Sequence, residues 1–532
     1  MNSLKVLDVT LRDGGCVNDF NFGQIYMEKI LAAQEASGVD VIEMGYIDEK
    51  KGSEFGRTQY INEKVIPQSI LKKKQSGITY VAMMDYGKFD VEKLCPRTEN
   101  GIDGIRCAFH KKNMLDIIPL GRKIIKKGYK FYIQPMVTLR YSDSELLELI
   151  DLVNSKLPDA SAFYIVDSFG EMRPNDMSRI LNLVDHNLIP TMTLGFHSHN
   201  NLQLSYSNAM AMLQFPTNRD IMLDCSIMGM GKGAGNLNTE LLLEHLNLFY
   251  GKKYKVTPLL EVIDKVINQL HDEFYWGYAP EYYLSSANHC TPSYASYFYN
   301  KHMLPIDQVG ELLGMIEDDK KISFDKKYAE ELYRQYNESM AVDDSEVVRE
   351  LADEFRGKRI LLVAPGKSIA DSMDEIKELA AQDDIISIGL NNYLGFDYIL
   401  TTRDDIYSQA VSDGKKLIVP SNISKGGRGN VKILDYKNWI EVDDRTHDSS
   451  SVIALNLLQA CKVKEILLAG FDGFSVNINE NYYDENLRRP VNAEQAERRN
   501  KYYKDFINRI ANTGIKISFV TPSKYEQRVN YD

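Results

Sequence analysis

Short apolar runs alternate with longer amphipathic segments through the first half of the chain. The segments between the runs, such as 144–156 and 175–187, have helical spacing, and Ser142 and Asn175 are suitable N-caps. About eight strand–helix repeats over roughly 250 residues predict an α/β fold, a (β/α)8 TIM barrel over residues 1–254. An open doubly wound sheet is the alternative. The eight apolar runs are LKVLDVT, VDVIEMG, TYVAMM, DGIRCAF, KFYIQPMV, AFYIVDS, PTMTLGFH and DIMLDCSI.

The pattern of apolar and polar positions changes twice after the eighth apolar run. Residues 255–345 are rich in tyrosine and predict a helical post-barrel extension and linker. From residue 359 apolar runs return: RILLVAPG, DDIISIGLN, FDYILTT, KKLIVP and KEILLAGFDGF, with a helix-like SSSVIALNLLQACKV between the last two. We therefore predict a second, Rossmann-like α/β domain over residues 346–532.

Composition narrows the classes of protein that fit. The 532 residues suffice for two or three domains, and the formal net charge of −12 argues against a general nucleic-acid binder. The sequence contains neither a signal-peptide pattern nor a run of about eighteen apolar residues, so no membrane span is expected. The six cysteines are scattered without a CxxC pair, which is typical of reduced thiols in a cytoplasmic protein.

Polar side chains cluster where predicted barrel strands end, which is the catalytic face of a TIM barrel. His197 and His199 are two apart on one strand, so their imidazoles point to the same side. A Gly-rich loop, GMGKGAGN, follows the eighth run and ends in Asn236. Each feature alone is more often structural, but their conjunction predicts a divalent-metal site. The strand-end residues are Arg12, Asp13, Glu43, Asp167, His197 and His199.

Several motifs resemble those of a known enzyme group. TLRDGG, VIEMG, GFHSHNN and GMGKGAGN are similar to signatures of the DRE-TIM metallolyase superfamily. GIDGIRCAFHKKN, FYIQPMVTLRYSDSELLELIDLV and FYIVDSFGEMRPNDM resemble its 4-hydroxy-2-oxovalerate aldolase branch, and the resemblance covers about residues 1–300. The resemblance implies a carbon–carbon lyase, a class II, pyruvate-type aldolase whose substrates are a 2-oxo acid and an aldehyde.

The resemblance also implies roles for individual residues. Mn2+ or Mg2+ would be bound by Asp13, His197 and His199, with Asn236 as a fourth ligand. The metal would stabilise the enolate of the 2-oxo acid, and Arg12 would add a fixed positive charge beside the enolate oxygen. Glu43 would orient Arg12 or a metal-bound water.

One position departs from the aldolase branch. A histidine that serves in acid–base chemistry follows the Arg-Asp motif there, whereas this chain has Cys16. The replacement proton donor is therefore sought elsewhere. His110, His289, Tyr294 and Tyr297 are the candidates, and each also fits a packing role.

The second domain has a weaker resemblance of its own. LLVAPGKSI lacks the first glycine of a P-loop, because Leu361 occupies that position. Together with ISIGLNNYLGFDYILTTR and SSSVIALNLLQACKVKEILLAGFDGF it resembles family 42 sialyltransferases and pterin-pyrophosphokinase-like domains. That resemblance implies a nucleotide or nucleotide-sugar pocket lined by Gly366, Ser368, Asn391 and Ser450. A purely structural domain is the alternative.

Together these observations predict a cytoplasmic, metal-dependent aldolase fused to a nucleotide-sugar-binding or transferase domain. We expect the protein to form a homo-oligomer and to act in surface glycan biosynthesis. Two alternatives remain open. One is an acyl-CoA-dependent Claisen synthase or lyase of the same superfamily. The other is a non-catalytic nucleotide-sugar-binding scaffold.

Overall fold

The computed structural model describes residues 3–526 apart from 52–53, 68–70, 72–73, 301–303, 305, 340, 425–429, 441–448 and 485–490. The chain forms two compact units. The first comprises Met1–Tyr297 and Ile306–Lys326, and the second comprises Phe298–Pro305 and Lys327–Asp532. The segment predicted as a helical extension, residues 255–345, therefore contributes to both units.

The first unit is built on a closed parallel barrel of eight strands. Hydrogen bonding runs in the order β1-β9-β8-β7-β6-β5-β4-β2, and β1 also pairs with β2, which closes the sheet. Closure confirms the predicted barrel and excludes the open sheet. The two-residue β3 pairs with β2 outside the eight. The strands are β1 (Leu4–Asp8), β2 (Val41–Ile47), β3 (Gln59–Tyr60), β4 (Thr79–Asp85), β5 (Gly104–Phe109), β6 (Lys130–Pro135), β7 (Ala162–Asp167), β8 (Thr193–Ser198) and β9 (Ile221–Cys225).

Helices surround the barrel and bury their apolar faces on the outside of the strands. Ser142 caps α3 through its side chain, as predicted, in a capping box with Glu145. Asn175 is not a cap: it lies inside α4, because Pro174 occupies the first turn and Arg173 is the N-cap. The helices are α1 (Gln24–Ser37), α2 (Ile117–Lys126), α3 (Asp143–Lys156), α4 (Pro174–Asn187), α5 (Ser205–Gln214) and α6 (Thr239–Tyr250).

A helical extension follows the barrel and contacts its Gly-rich loop. The Trp276 indole Nε1 donates to the Met228 carbonyl at 3.0 Å, so the extension fixes the start of this loop. Further along, the amide of Thr291 donates to the Lys321 carbonyl at 2.9 Å. The extension contains α7 (Thr257–Val262), a π-helical turn (Ile263–Ile267), α8 (Asn268–Glu273), α9 (Pro280–Ala287), α10 (Pro292–Tyr299) and α11 (Ile306–Gly314).

The second unit is a separate parallel α/β sheet of seven strands in the order β14-β13-β12-β11-β10-β15-β16. The predicted runs form β10, β11, β12, β13 and β15, and the structure adds β14 and β16. The elements are α12 (Lys326–Ser339), α13 (Ser345–Glu354), β10 (Arg359–Val363), α14 (Met373–Ala380), β11 (Ile385–Leu390), β12 (Tyr398–Leu400), α15 (Asp404–Ser412), β13 (Leu417–Pro420), β14 (Val431–Leu434), α16 (Tyr436–Trp439), α17 (Ser450–Ala460), β15 (Glu465–Ala469), α18 (Ala493–Ala511) and β16 (Lys516–Phe519). No helix among the described residues combines the length and apolar character needed to cross a membrane.

Candidate metal centre

Three buried side chains converge at the carboxyl end of the barrel strands. Asp13 lies in the turn after β1, His197 near the end of β8, and His199 just beyond it. The Nε2 atoms of His197 and His199 lie 3.7 and 3.6 Å from Asp13 Oδ2. One ligand atom from each residue lies within 4.8 Å of the other two, which matches the predicted triad and the size of a metal ion's coordination sphere.

Asn236 joins this triad through the backbone, because it forms an isolated antiparallel bridge with His199. Two buried oxygens of the cluster, Asp13 Oδ2 and Asn236 Oδ1, have no hydrogen-bond partner. Gly231 allows the close approach, since a Cβ there would lie 2.2 Å from Asn236 Nδ2. Two unsatisfied oxygens beside two imidazoles fit the ligand set of a divalent cation. We call Asp13, His197, His199 and Asn236 the ligand cluster.

The protonation states suit a metal site. Burial opposes the charged form of Asp13, but Arg12 and the two imidazoles outweigh burial and lower the pKa of this carboxyl. Burial lowers the pKa of His199 to about 4, with Asp13 opposing that shift. A deprotonated carboxylate and a neutral imidazole are the forms that bind metal ions.

A series of paired, buried charged side chains contacts the ligand cluster. Arg12 Nε lies 2.6 Å from Glu43 Oε2, which is also 3.0 Å from Arg106 Nη1. Arg106 Nη2 pairs with Asp224, whose Oδ2 lies 3.0 Å from His197 Nδ1. The contact with Asp224 orients the His197 ring so that its Nε2 faces Asp13. We call Arg12, Glu43, Arg106 and Asp224 the buried charge chain.

Glu43 was predicted as a partner of Arg12, but the sequence analysis missed Arg106 and Asp224. Both lie inside apolar strands, in DGIRCAF and DIMLDCSI, where a charged residue is unusual. That departure from the strand pattern was the available signal. The structure shows its cause, because the two side chains neutralise each other inside the barrel and the Arg106 guanidinium stacks 4.9 Å from the Tyr164 ring centre.

His110 follows β5 at the same end of the barrel and is half-buried. Burial lowers its pKa, and the nearby Asp85 carboxylate opposes that shift. Asp85 ends β4 and also hydrogen-bonds the Tyr46 hydroxyl. Asp85 and Tyr46 were not singled out from the sequence. Burial raises the pKa of Asp85, whereas the charges of both His110 and Arg12 lower it, so this carboxylate is near both residues.

Cys16, which stands where the aldolase branch has its histidine, and the other candidate proton donors lie in different surroundings. Cys16 is exposed, with its Sγ 3.8 Å from Asp13 Oδ1. The His289 side chain is 62% exposed, and its Nδ1 lies 2.7 Å from the Glu171 carboxylate. The Tyr294 hydroxyl donates to the Ser323 carbonyl and accepts from the Asp325 amide, within the extension.

Asp167, one of the strand-end residues singled out from the sequence, accepts backbone hydrogen bonds from Glu171 and Met172 at 2.9 and 3.1 Å. Burial raises its pKa to about 7, although these two hydrogen bonds oppose the shift. Its backbone carbonyl accepts from the His199 amide at 3.1 Å. Asp167 therefore shapes the loop after β7 and helps to position His199.

The second unit has a cavity of about 330 Å³ where the strand order reverses, at the carboxyl ends of β10, β11 and β15. Gly366, Asn391 and Ser450, three of the residues predicted to line a nucleotide pocket, lie in its lining. A Cβ at Gly366 would lie 2.2 Å from the Gly470 carbonyl oxygen, so this close approach requires glycine. Ser368 is not in the lining; its amide and hydroxyl both bind the Asp472 carboxylate.

Sequence comparison finds relatives of the first unit among known proteins. Residues 3–264 match the model of the HMGL-like family. A 4-hydroxy-2-oxovalerate aldolase from Comamonas testosteroni is 30% identical over 246 residues, which is 45% of this chain and 67% of that protein. Another, from Pseudoalteromonas translucida, is 27% identical over 290 residues, covering 52% and 81%. The solved N-terminal domain of a Bacteroides vulgatus protein is 28% identical, covering 56% of this chain and 96% of that chain, with a TM-score of 0.48.

Proposed function

Because this chain belongs to the HMGL-like family, we propose that its barrel is a divalent-metal-dependent aldolase that acts on a 2-oxo acid, with pyruvate as the substrate. The observation that carries the proposal is the convergence of Asp13, His197 and His199, with unsatisfied oxygens on Asp13 and Asn236. Mn2+ or Mg2+ held there supplies a Lewis acid for the oxygens of the 2-oxo acid.

Arg12 supplies the second positive charge of the site. Its Nε and Nη1 bind Glu43 and Asp13, whereas its buried Nη2 has no hydrogen-bond partner. A buried guanidinium with a free N–H group can stabilise the charge that develops on the substrate oxygen. Two carboxylates hold the guanidinium in place beforehand, so little reorganisation is needed during the reaction.

The reaction balances without an external oxidant or reductant. In the direction of carbon–carbon bond formation, C3 of pyruvate loses a proton and forms a bond to the aldehyde carbon. The aldehyde oxygen then gains a proton, and cleavage reverses these steps. We propose His110 and His289 as the groups that move this proton. His110 connects to Asp85, and His289 keeps Nε2 available while Nδ1 binds Glu171. Tyr294 stays a weaker candidate, because its hydroxyl is engaged within the extension.

We expect the protein to exchange the methyl protons of pyruvate with solvent, since exchange needs no knowledge of the aldehyde. Proton NMR of pyruvate in D2O, with Mg2+ or trace Mn2+, should show loss of the methyl signal. EDTA should return the rate to the protein-free background. Metal binding without exchange would contradict the pyruvate assignment and favour an acyl-CoA-dependent Claisen reaction. Absence of both would favour a non-catalytic scaffold.

For the second unit we propose a nucleotide or nucleotide-sugar site, and with it a role in surface glycan biosynthesis. The cavity lies at the strand-order reversal, where open α/β sheets bind ligands. Ser450 and the neighbouring Ser449 present the start of α17 to it, which suits a phosphate. Arg499 adds a cation, and Tyr503 offers an aromatic face.

We expect a nucleoside monophosphate to bind this cavity with a dissociation constant that Arg499→Met raises about tenfold, since charge-assisted phosphate contacts contribute about 1.5–3 kcal/mol. Isothermal titration with CMP, UMP, AMP and GMP measures it. Arg509→Met, on the same helix but outside the cavity lining, is the matched control. If none of the four nucleotides binds, the unit is structural and the proposal fails.

A further inference from the structure

Lys232 is an unusual residue for the loop that carries it. It stands in the middle of GMGKGAGN, between the Gly231 that packs on Asn236 and the Gly233 that adopts a φ of +69°. The residue is half-buried. Its Nζ has one weak hydrogen bond, 3.5 Å to the hydroxyl of Thr291. Within the described part of the chain it forms no ion pair with a carboxylate.

The backbone of Lys232 contacts the ligand cluster. The Lys232 carbonyl contacts His199 Nδ1 at 3.1 Å, so the loop backbone is anchored to a metal ligand. The charge of Lys232 also acts on His199, where it adds to the effect of burial, and on Cys16. Lys232 therefore lies on the rim of the same site, beside the position where the aldolase branch has its histidine.

Neighbouring cations on this rim already have anionic partners. Arg140 Nη2 lies 3.0 Å from a Glu171 carboxylate oxygen, and Lys321 Nζ lies 2.9 Å from Asp318. Lys232 is different, because the residue is half-buried and no carboxylate among the described residues gives it a counter-charge. An anionic ligand group would supply that charge.

The 2-oxo acid has a nearer cation. Arg12 Nη1 contacts Asp13 at 3.2 Å and its Nη2 is unsatisfied, so a carboxylate held at the ligand cluster meets Arg12 first. Lys232 is thus left for the second substrate. Resting on the proposed aldolase function, we propose that Lys232 selects an aldehyde that carries an anionic group, a carboxylate or a phosphate, at the end remote from its carbonyl.

The test compares charged and neutral aldehydes of similar size in the aldol reaction with pyruvate. Succinic semialdehyde against butanal examines the carboxylate, and glyceraldehyde 3-phosphate against glyceraldehyde examines the phosphate. We expect kcat/KM to favour the anionic member of at least one pair by about tenfold or more, the effect of one charge-assisted contact. The pair that shows the preference identifies the anion.

Variants of Lys232 then test whether this residue causes the preference for an anionic aldehyde. Lys232→Met should remove it while changing kcat/KM for the neutral aldehyde less than twofold, and Lys232→Arg, which keeps the charge, should retain it. Lys321→Met is the matched control, because this neighbouring lysine is already paired with Asp318. Absence of a preference in both pairs, or an equal loss for neutral aldehydes in Lys232→Met, overturns the inference.

Two readouts separate this inference from the proposed function. Proton exchange of pyruvate without aldehyde should change much less in Lys232→Met than the preference for an anionic aldehyde does. A raised KM for pyruvate would assign Lys232 to the 2-oxo acid and overturn the inference. Succinate and inorganic phosphate, titrated calorimetrically into metal-free protein, should bind about tenfold more weakly to Lys232→Met. If the wild-type protein does not exchange the methyl protons of pyruvate, the proposed function fails. If wild type and Lys232→Met bind succinate and phosphate equally well, the inference about Lys232 fails, whatever the exchange result.

Discussion

Replacing Asp13 with asparagine is expected to abolish metal binding and pyruvate exchange. Asp13 is the carboxylate of the triad, and the amide removes its negative charge while keeping its shape. Losing such a ligand should weaken Mn2+ binding by about 100-fold or more, beyond the range seen when only supporting residues are removed. Exchange should fall to the level measured with EDTA. Arg12 keeps its contact with Glu43, so the fold should persist.

Free Mn2+ counted by electron paramagnetic resonance measures the binding, and NMR measures the exchange. Asp159→Asn is the matched control, since Asp159 is exposed in the turn before β7, at the opposite end of the barrel. It should bind Mn2+ and exchange pyruvate like the wild type. An Asp13→Asn protein that binds Mn2+ within about threefold of wild type would contradict the assignment of the ligand cluster, because a lost charged ligand costs far more.

Replacing Arg106 with methionine is expected to destabilise the barrel strongly. Arg106 is completely buried and pairs with Glu43 and Asp224, which are themselves buried. Burial opposes its charge, but the two carboxylates outweigh burial and raise the pKa of the guanidinium further. Removing it leaves the buried Asp224 without a guanidinium partner and Glu43 with Arg12 alone, which should cost about 3–5 kcal/mol in the free energy of unfolding.

The chain allows this change to be measured in one unit at a time. It has two tryptophans, Trp276 in the first unit and Trp439 in the second. In a Trp439→Phe background, urea unfolding followed by fluorescence reports on Trp276 alone. Arg122→Met is the matched control, because Arg122 is exposed on α2 and binds only a carbonyl of the neighbouring helix.

A second substitution tests the physical cause. If the cost arises from unpaired negative charge, adding Asp224→Asn to Arg106→Met should recover part of the lost stability, at least about 1 kcal/mol. If the cost arises from a cavity, the second change should recover nothing. Unfolding free energies of Arg106→Met within 1 kcal/mol of wild type would show that the buried charge chain does not stabilise the barrel.

The barrel was predictable because residues close together in the sequence specify each of its strands and helices. Each strand is a short apolar run and each helix has its own amphipathic spacing, so the count of eight could be made along the chain. Ser142 as a helix cap is equally local. Asn175 failed as a cap because Pro174, already suited to the first helical turn, moved the start of α4 by two residues.

The convergence of the three candidate metal ligands was predictable for a related reason. In a parallel barrel every strand ends on the same face, so residues distant in sequence but following strands must meet there. Asp13, His197 and His199 satisfied that rule, and the structure brings them together. In the second unit, Gly366, Asn391 and Ser450 were predicted as pocket residues from a resemblance, and they line one cavity, while the short strands β14 and β16 escaped prediction.

The sequence by itself determined the barrel and the end of it at which Asp13, His197 and His199 meet, because periodicity and strand ends are properties of the chain. Only the tertiary structure decided how charges are paired. Arg106 meets Glu43 and Asp224 across the barrel interior, and Tyr294 turns its hydroxyl to the backbone of the extension. Lys232 is left without a carboxylate partner in the described structure. Such pairings depend on distances between side chains from different strands, which spacing along one chain does not encode.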